Sequence, residues 1–230
     1  IDGSEEERAK TPPDGLSPLF AGGHDGWISS ITALSAPLNG TTAYYAADDI
    51  LTDENSTAEE NLIVRLLYGV SKTPTEVGAC PEDSATYDMH IDNALAMLDS
   101  FQTIENVYYY SLPCSCTDDD GNGVHIPDES ITERMFRACG KRMGKYTGET
   151  PGGFAIDESW RENDGLVNTV SARAPLNAPQ KDYDETSVEP GVWNVLPTYR
   201  GCHTALMGNL LIINNVRELY VDLLMMIAAR

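Results

Sequence analysis

Apolar segments rich in β-branched and aromatic residues alternate with segments of helical periodicity, and this alternation is the strongest constraint on the fold. Residues 27–34 and 106–112 predict buried strands. Between them, residues 59–70 and 87–101 place apolar side chains at the spacing of amphipathic helices. Since strands separated by helices typically form a parallel sheet flanked by helices, the pattern predicts an α/β protein with a mostly parallel sheet.

The remaining segments predict a shorter strand and several polar loops. Residues 166–170 favour a short apolar strand, whereas residues 48–60, 118–129 and 177–190 favour loops. Residues 214–229 predict a closing helix. Its inward face would hold Val216, Leu219, Leu223, Leu224 and Ile227.

The net charge of the chain limits the kinds of partner that it is expected to bind. The 230 residues carry 36 Asp and Glu against 15 Lys and Arg, a formal net charge of −21. Nucleic acid and anionic membrane surfaces would repel such a chain, so neither is an expected partner. The longest apolar run, residues 223–229, is too short to span a bilayer, and no transmembrane anchor is expected.

The chain has five cysteines, and an odd number leaves at least one unpaired within the chain. We expect disulfides or buried free thiols rather than a thiolate metal site, because the closely spaced pair Cys114 and Cys116 is not followed by a second such pair. The acidic composition leans towards a secreted protein. The cysteines are Cys80, Cys114, Cys116, Cys139 and Cys202.

One acid and one histidine have the order and setting of a catalytic pair. Asp164 lies in a glycine-containing turn beside an apolar segment, and His203 follows it in a later loop. In α/β hydrolases the acid precedes the histidine, and it orients the imidazole and stabilises its cationic form. Taken alone, a loop histidine is more often an ordinary polar surface residue.

Four segments match a known family in order: residues 17–24, 31–42, 160–169 and 191–194. Together they resemble the bacterial thermoalkalophilic lipases, which are secreted α/β hydrolases that cleave triacylglycerols and other carboxylic esters. The resemblance covers essentially the whole chain. It implies an α/β-hydrolase fold and a lipid or ester substrate.

By this resemblance Asp164 falls on the catalytic acid and His203 on the catalytic histidine. The family's nucleophile is a serine in a Gly-x-Ser-x-Gly elbow, and Ile1 lies just past that position, so the N-terminal strands and the elbow are expected to be missing from this chain. Ser35 and Ser171 have no elbow context. The serine is therefore expected from outside the chain, in a missing N-terminal segment or a homo-oligomer partner.

Two metal sites are expected with alternatives left open. By resemblance Asp83 falls on a zinc ligand whose companions would lie in the missing N-terminal segment; otherwise it is a helix N-cap. A second pattern, in residues 118–129, matches a calcium loop. A preceding strand and Pro127 weaken the match, and the alternative is an acidic surface turn. The calcium ligands would be Asp118, Asp120, Asn122, the Val124 carbonyl and Glu129.

The chain is expected to form one domain over residues 1–230, with a lid-like insertion at about residues 48–80. The first functional hypothesis is a lipase or carboxylesterase that uses a Ser-His-Asp mechanism. The alternative is a non-catalytic remnant of a lipase that acts as a calcium-stabilised binding domain.

Overall fold

The computed structural model describes residues 3–24, 26–58, 67, 85–208 and 216–229. Most of the lid-like insertion, including the predicted helix at residues 59–70 apart from Leu67, lies outside the described residues. The zinc-ligand candidate Asp83 and the thiol of Cys80 also lie outside them.

A parallel sheet of four strands forms the centre of the described structure, in the order Ser30–Leu34, Tyr108–Leu112, Trp193–Val195 and Gln180–Asp182. Three shorter strand pairs accompany it: Cys114–Ser115 with Tyr199–Arg200 in parallel, and Thr117–Asp119 with His125–Pro127 and Gly148–Glu149 with Ala155–Ile156 antiparallel. This arrangement confirms the predicted α/β class with a mainly parallel sheet. In chain order the strands are β1 (Ser30–Leu34), β2 (Tyr108–Leu112), β3 (Cys114–Ser115), β4 (Thr117–Asp119), β5 (His125–Pro127), β6 (Gly148–Glu149), β7 (Ala155–Ile156), β8 (Gln180–Asp182), β9 (Trp193–Val195) and β10 (Tyr199–Arg200).

Helices connect and cover the strands, and 3₁₀ turns lie at Glu158–Trp160 and Ala205–Met207. Among the described residues no helix is long and apolar enough to cross a membrane. In chain order the α-helices are α1 (Glu5–Lys10), α2 (Pro18–Ala21), α3 (Ala43–Thr52), α4 (Ala85–Met89), α5 (Ile91–Leu98), α6 (Arg134–Met143), α7 (Thr169–Arg173) and α8 (Val216–Ala228).

Local propensity places the strongest elements correctly. Both predicted β-rich segments form neighbouring strands, β1 and β2, which pair from Ser30 opposite Tyr108 to Leu34 opposite Leu112. The burial predicted for residues 27–34 is wrong, since β1 lies at the sheet edge and Trp27 and Ile31 are 62% and 39% exposed. The closing helix forms as α8 and buries Leu223 against Leu112 and Leu206. Leu224, however, is 64% exposed, so its predicted inward orientation is wrong.

Tertiary contacts override propensity elsewhere. The strand predicted at residues 166–170 is instead a turn followed by α7, because the Asp164 carboxylate accepts hydrogen bonds from two successive backbone amides and bends the chain. The loop predicted at residues 177–190 contains β8, a polar strand at the sheet edge with no apolar pattern to announce it. The predicted loop at residues 48–60 begins inside α3.

Two further segments differ in detail. The helix predicted over residues 87–101 is divided at His90, whose extended backbone ends α4 and starts α5. The loop predicted at residues 118–129 includes the hairpin formed by β4 and β5.

Candidate active site

Asp164 and His203 meet beyond the carboxyl ends of the central strands. The chain that leaves β2 passes through β3 to β7 and α6 before it reaches the Asp164 turn, and the chain that leaves β9 leads through β10 to His203. His203 Nδ1 lies 2.9 Å from Asp164 Oδ2. The Asp164 side chain is fully buried, while that of His203 is 30% exposed. The structure therefore brings together the two residues that the sequence singled out.

The backbone holds the same two segments together. The His203 amide donates a hydrogen bond to the Asp164 carbonyl at 2.9 Å. The other carboxylate oxygen, Oδ1, accepts hydrogen bonds from the amides of Leu166 at 3.0 Å and Val167 at 2.7 Å. Ser35 Oγ donates to Oδ2 at 2.5 Å. Four donors thus surround a carboxylate that has no contact with solvent.

Buried asparagines support the turn. Asn163 donates from Nδ2 to the carbonyls of Gly140 and Arg161, at 3.1 and 2.8 Å, and its Oδ1 accepts from the Gly165 amide at 2.9 Å. Gly165 has φ +97°, and a Cβ there would lie 2.6 Å from Phe136 Cβ. Because the turn needs both a left-handed residue and close contact with α6, only glycine fits without strain.

The surroundings of His203 favour its protonated form. Burial of the ring lowers its pKa, but the hydrogen bond and the negative charge of Asp164 together raise the pKa above the ordinary value of 6.5. The Phe136 ring meets the imidazole edge-on, with 6.4 Å between ring centroids. An imidazole in this setting can accept a proton, and the resulting cation is stabilised by the carboxylate.

Buried thiols beside the pair are unsuited to nucleophilic attack. The four cysteines that the structure describes are buried, and Cys114, Cys116 and Cys139 are free thiols. Desolvation raises the pKa of Cys116 to about 12 and also raises the pKa values of Cys114 and Cys139. Because the thiolate is the reactive form, these groups are inert at neutral pH.

No serine elbow accompanies the pair. The sequence contains no Gly-x-Ser-x-Gly motif. Ser35 donates to Asp164 rather than to His203, and the Ser171 hydroxyl donates to the Gly40 carbonyl at 2.6 Å. Within the part of the chain that the structure describes, no serine hydroxyl is hydrogen-bonded to the His203 ring.

Comparisons with known proteins find similarity to bacterial lipases. No protein-family model matches the chain. The lipase of Staphylococcus hyicus is 26% identical over 84% of this chain, and that of Staphylococcus epidermidis is 28% identical over 84%. Among solved structures, EstA from Clostridium botulinum has a TM-score of 0.77 at 25% identity and covers 98% of this chain. The chain is therefore similar to bacterial lipases over most of its length.

The chain matches only part of the length of each of these bacterial lipases. The chain spans about a third of the curated staphylococcal relatives, 32% and 30% of their lengths. It covers 59% of the EstA chain and 65% of the S. hyicus lipase structure, which has a TM-score of 0.71 at 24% identity. The structural likeness extends over nearly the whole of this chain and supports the α/β fold.

In this structure the residues of the predicted calcium loop form hydrogen bonds and ion pairs with other groups of the chain. Asp120 Oδ1 accepts from the amides of Asn122 and Val124, at 2.8 and 3.2 Å, and the Val124 carbonyl accepts from the Asp120 amide. Asp118 pairs with Arg200 at 3.1 Å, and Glu129 with Arg137 at 2.7 Å. Among the described residues no three His, Cys, Asp or Glu side chains form a group that could hold a metal. This arrangement does not fit a calcium ion, and calcium binding stays a prediction.

The role of Ser35 is not visible in the sequence. No elbow surrounds this residue, and the structure places its hydroxyl on Asp164, 129 positions away. No local pattern links the two residues. The two buried asparagines of the turn, Asn163 and Asn168, were also missed as supporting residues, although both lie in the segment that carries the family resemblance.

Proposed function

We propose that this chain belongs to a lipase-type carboxylic ester hydrolase. In this enzyme His203 takes up and releases the proton, and Asp164 orients the His203 ring. The observation that carries the proposal is the 2.9 Å contact between His203 Nδ1 and the buried Asp164 carboxylate. Because Nδ1 is engaged by the carboxylate, Nε2 is the nitrogen left to face a nucleophile. The staphylococcal relatives that are named lipases support the reaction class.

The mechanism uses a serine. Its hydroxyl attacks the ester carbonyl while His203 Nε2 takes the proton, and Asp164 stabilises the imidazolium. The imidazolium then gives the proton to the departing alkoxide, which leaves an acyl-enzyme. Water attacks the acyl-enzyme with His203 again as the base, and the imidazolium returns this proton to the serine oxygen as the acyl–oxygen bond breaks. The products are an alcohol and a carboxylic acid, and the serine is regenerated.

The serine is proposed to come from outside these 230 residues, in an N-terminal segment or a partner subunit. The sequence contains no Gly-x-Ser-x-Gly motif. Among the described strands, β1 ends the central sheet and pairs only with β2. Trp27 and Ile31 beside this edge are 62% and 39% exposed. Since an open strand edge readily accepts another strand, this is where we place the completing segment.

The substrate class and location extend the same proposal. A lipid or other carboxylic ester would be the substrate, and the protein would act outside the cell, as its acidic composition suggests. The alternative, a calcium-stabilised domain without activity, has less support. Its calcium ligands are engaged by other partners, whereas the proposed acid and base are hydrogen-bonded.

The test combines activity-based labelling with ester hydrolysis. The intact protein is treated with a fluorophosphonate probe and analysed by mass spectrometry, and hydrolysis of short p-nitrophenyl esters is measured. We expect one labelled serine outside residues 1–230. We also expect His203→Ala to lower kcat by about 10⁶-fold and Asp164→Asn by about 10⁴-fold, the losses typical of triad residues.

Matched controls are His125→Ala and Asp182→Asn, since neither residue contacts the pair and Asp182 forms only an exposed ion pair. Both controls are expected to retain activity. Unlabelled protein, or hydrolysis that survives His203→Ala, would exclude the proposed function.

A further inference from the structure

Ser35 has a backbone conformation that normally favours glycine. It directly follows β1 and has φ +43°, and it is the one non-glycine with positive φ among the described residues. An L-residue with a Cβ is disfavoured in this region. A serine at such a position suggests that its side chain has a use that offsets the strain.

The hydroxyl of Ser35 is aimed at Asp164. The residue is 2% exposed, and Oγ donates to Asp164 Oδ2 at 2.5 Å. The Ser35 amide donates to the Leu112 carbonyl at 2.9 Å, which ties the residue to the end of β2. The hydroxyl is therefore held by the central sheet, the most regular part of the described structure.

The two oxygens of the carboxylate have different supports. Oδ1 is held by backbone amides of the turn, whereas Oδ2 is shared by Ser35 Oγ and His203 Nδ1. Without Ser35, the histidine would be the only donor to Oδ2. The position of Oδ2 would then depend on the same ring that it has to orient.

We propose that Ser35 is a positioning residue, which fixes Asp164 Oδ2 for His203 and so connects the proton-transfer pair to the central sheet. The proposal deepens the proposed function and rests on it for its catalytic consequence. Ser35 forms no hydrogen bond with His203, so its effect on the histidine is transmitted through the carboxylate.

Three substitutions separate this role from a structural one. Ser35→Gly and Ser35→Ala both remove the hydroxyl, but only glycine also relieves the backbone strain. Ser35→Thr keeps the hydroxyl and adds a β-branched side chain to a strained position. We expect Ser35→Gly to melt above Ser35→Ala, because both lose the same hydrogen bond to the buried carboxylate and only glycine relieves the strain. Ser35→Thr should melt below the parent protein.

The first readout is the titration of the His203 ring by NMR in the intact protein with ¹⁵N-labelled histidine. Burial lowers the pKa of this ring and Asp164 raises it, so a displaced carboxylate should lower it. We expect Ser35→Gly and Ser35→Ala to lower the ring pKa by at least about half a unit. Ser35→Thr should leave it near the parent value. A ring pKa that stays unchanged or rises in both variants without the hydroxyl overturns the proposal.

The second readout is ester hydrolysis. We expect Ser35→Gly to lower kcat about tenfold with KM unchanged, since orientation of the base affects the transition state and not substrate binding. His203→Ala separates the two proposals. If that variant hydrolyses esters normally, the proposed function fails, while the NMR titration still decides whether Ser35 positions Asp164. An unchanged kcat in Ser35→Gly, with a His203→Ala variant that is inactive, rejects the catalytic consequence.

Discussion

At the scale of single residues, the centre of the candidate site is a carboxylate that is fully buried from solvent. Asp164 is 0% exposed, and it is tolerated because two amides, one hydroxyl and one imidazole donate to it. The same hydrogen bonds orient the acid, so burial and function have a common physical origin. The residue types were visible in the sequence, but the number of donors was not.

The raised pKa of His203 predicts how stability depends on pH. Because the folded pKa exceeds the unfolded one, the His203–Asp164 interaction contributes its full stabilisation below about pH 6.5 and loses it as pH rises through the folded value. Urea denaturation of the parent protein and His203→Ala at several pH values measures this. The difference in unfolding free energy should shrink as pH rises, and a constant or growing difference would contradict the assignment.

The same shift predicts the pH dependence of hydrolysis. The base must be neutral to accept a proton, so kcat/KM should rise with pH, with a midpoint above 6.5. The measurement is a pH profile with a short p-nitrophenyl ester. A midpoint below 6.5 would mean that Asp164 does not govern the titrating group.

At the scale of elements, the turn that carries Asp164 is more constrained than its sequence suggests. The apolar residues after Gly165 predict a strand, yet the turn and α7 form because buried polar groups cap the bend. In contrast, β1, β2 and α8 follow local pattern closely. Elements at polar or irregular sites are the ones that propensity misses.

Gly165 provides a test of the turn, with Gly153 as its matched control. Both have positive φ, +97° and +89°, but an added Cβ meets Phe136 at Gly165 and nothing within 4 Å at Gly153. Gly153→Ala should cost about 1–2 kcal/mol of unfolding free energy from strain alone. Gly165→Ala should cost about 1–3 kcal/mol more from overpacking. Urea denaturation measures both, and equal costs would show that contact with α6 is unimportant.

The hairpin of β4 and β5 provides the test of calcium binding. If the sequence pattern is correct, calcium should raise the melting temperature, and Glu129→Gln should abolish the rise because it removes the bidentate ligand. Glu133→Gln, beside α6 and outside the pattern, is the control. Binding would require Asp118 and Glu129 to leave Arg200 and Arg137. A melting temperature indifferent to calcium rejects the prediction.

At the scale of the whole molecule, the chain combines a mainly parallel sheet with a large negative charge. The sheet brings the segments after β2 and β9 together, and this places the acid and the histidine side by side. The net charge of −21 produces long-range repulsion that opposes folding, but it does not influence the topology.

This repulsion predicts a response to salt. Raising NaCl from about 10 to 150 mM shortens the screening length from about 30 to 8 Å, so the melting temperature should rise. Thermal unfolding followed by circular dichroism measures the effect, and KCl is the control for specific ion binding. A fall in melting temperature with both salts would show that attractive ion pairs outweigh the net repulsion.

By itself the sequence determined the α/β class, the first two strands and the closing helix, because these follow from local periodicity. Through the lipase resemblance it also indicated Asp164 and His203 as the candidate acid and base. Only the tertiary structure decided that residues 166–170 would turn into a helix, that residues 180–182 would join the sheet and that Ser35 would hold Asp164. The reason is physical: each depends on hydrogen bonds between segments far apart in the chain, whose energy no local pattern records.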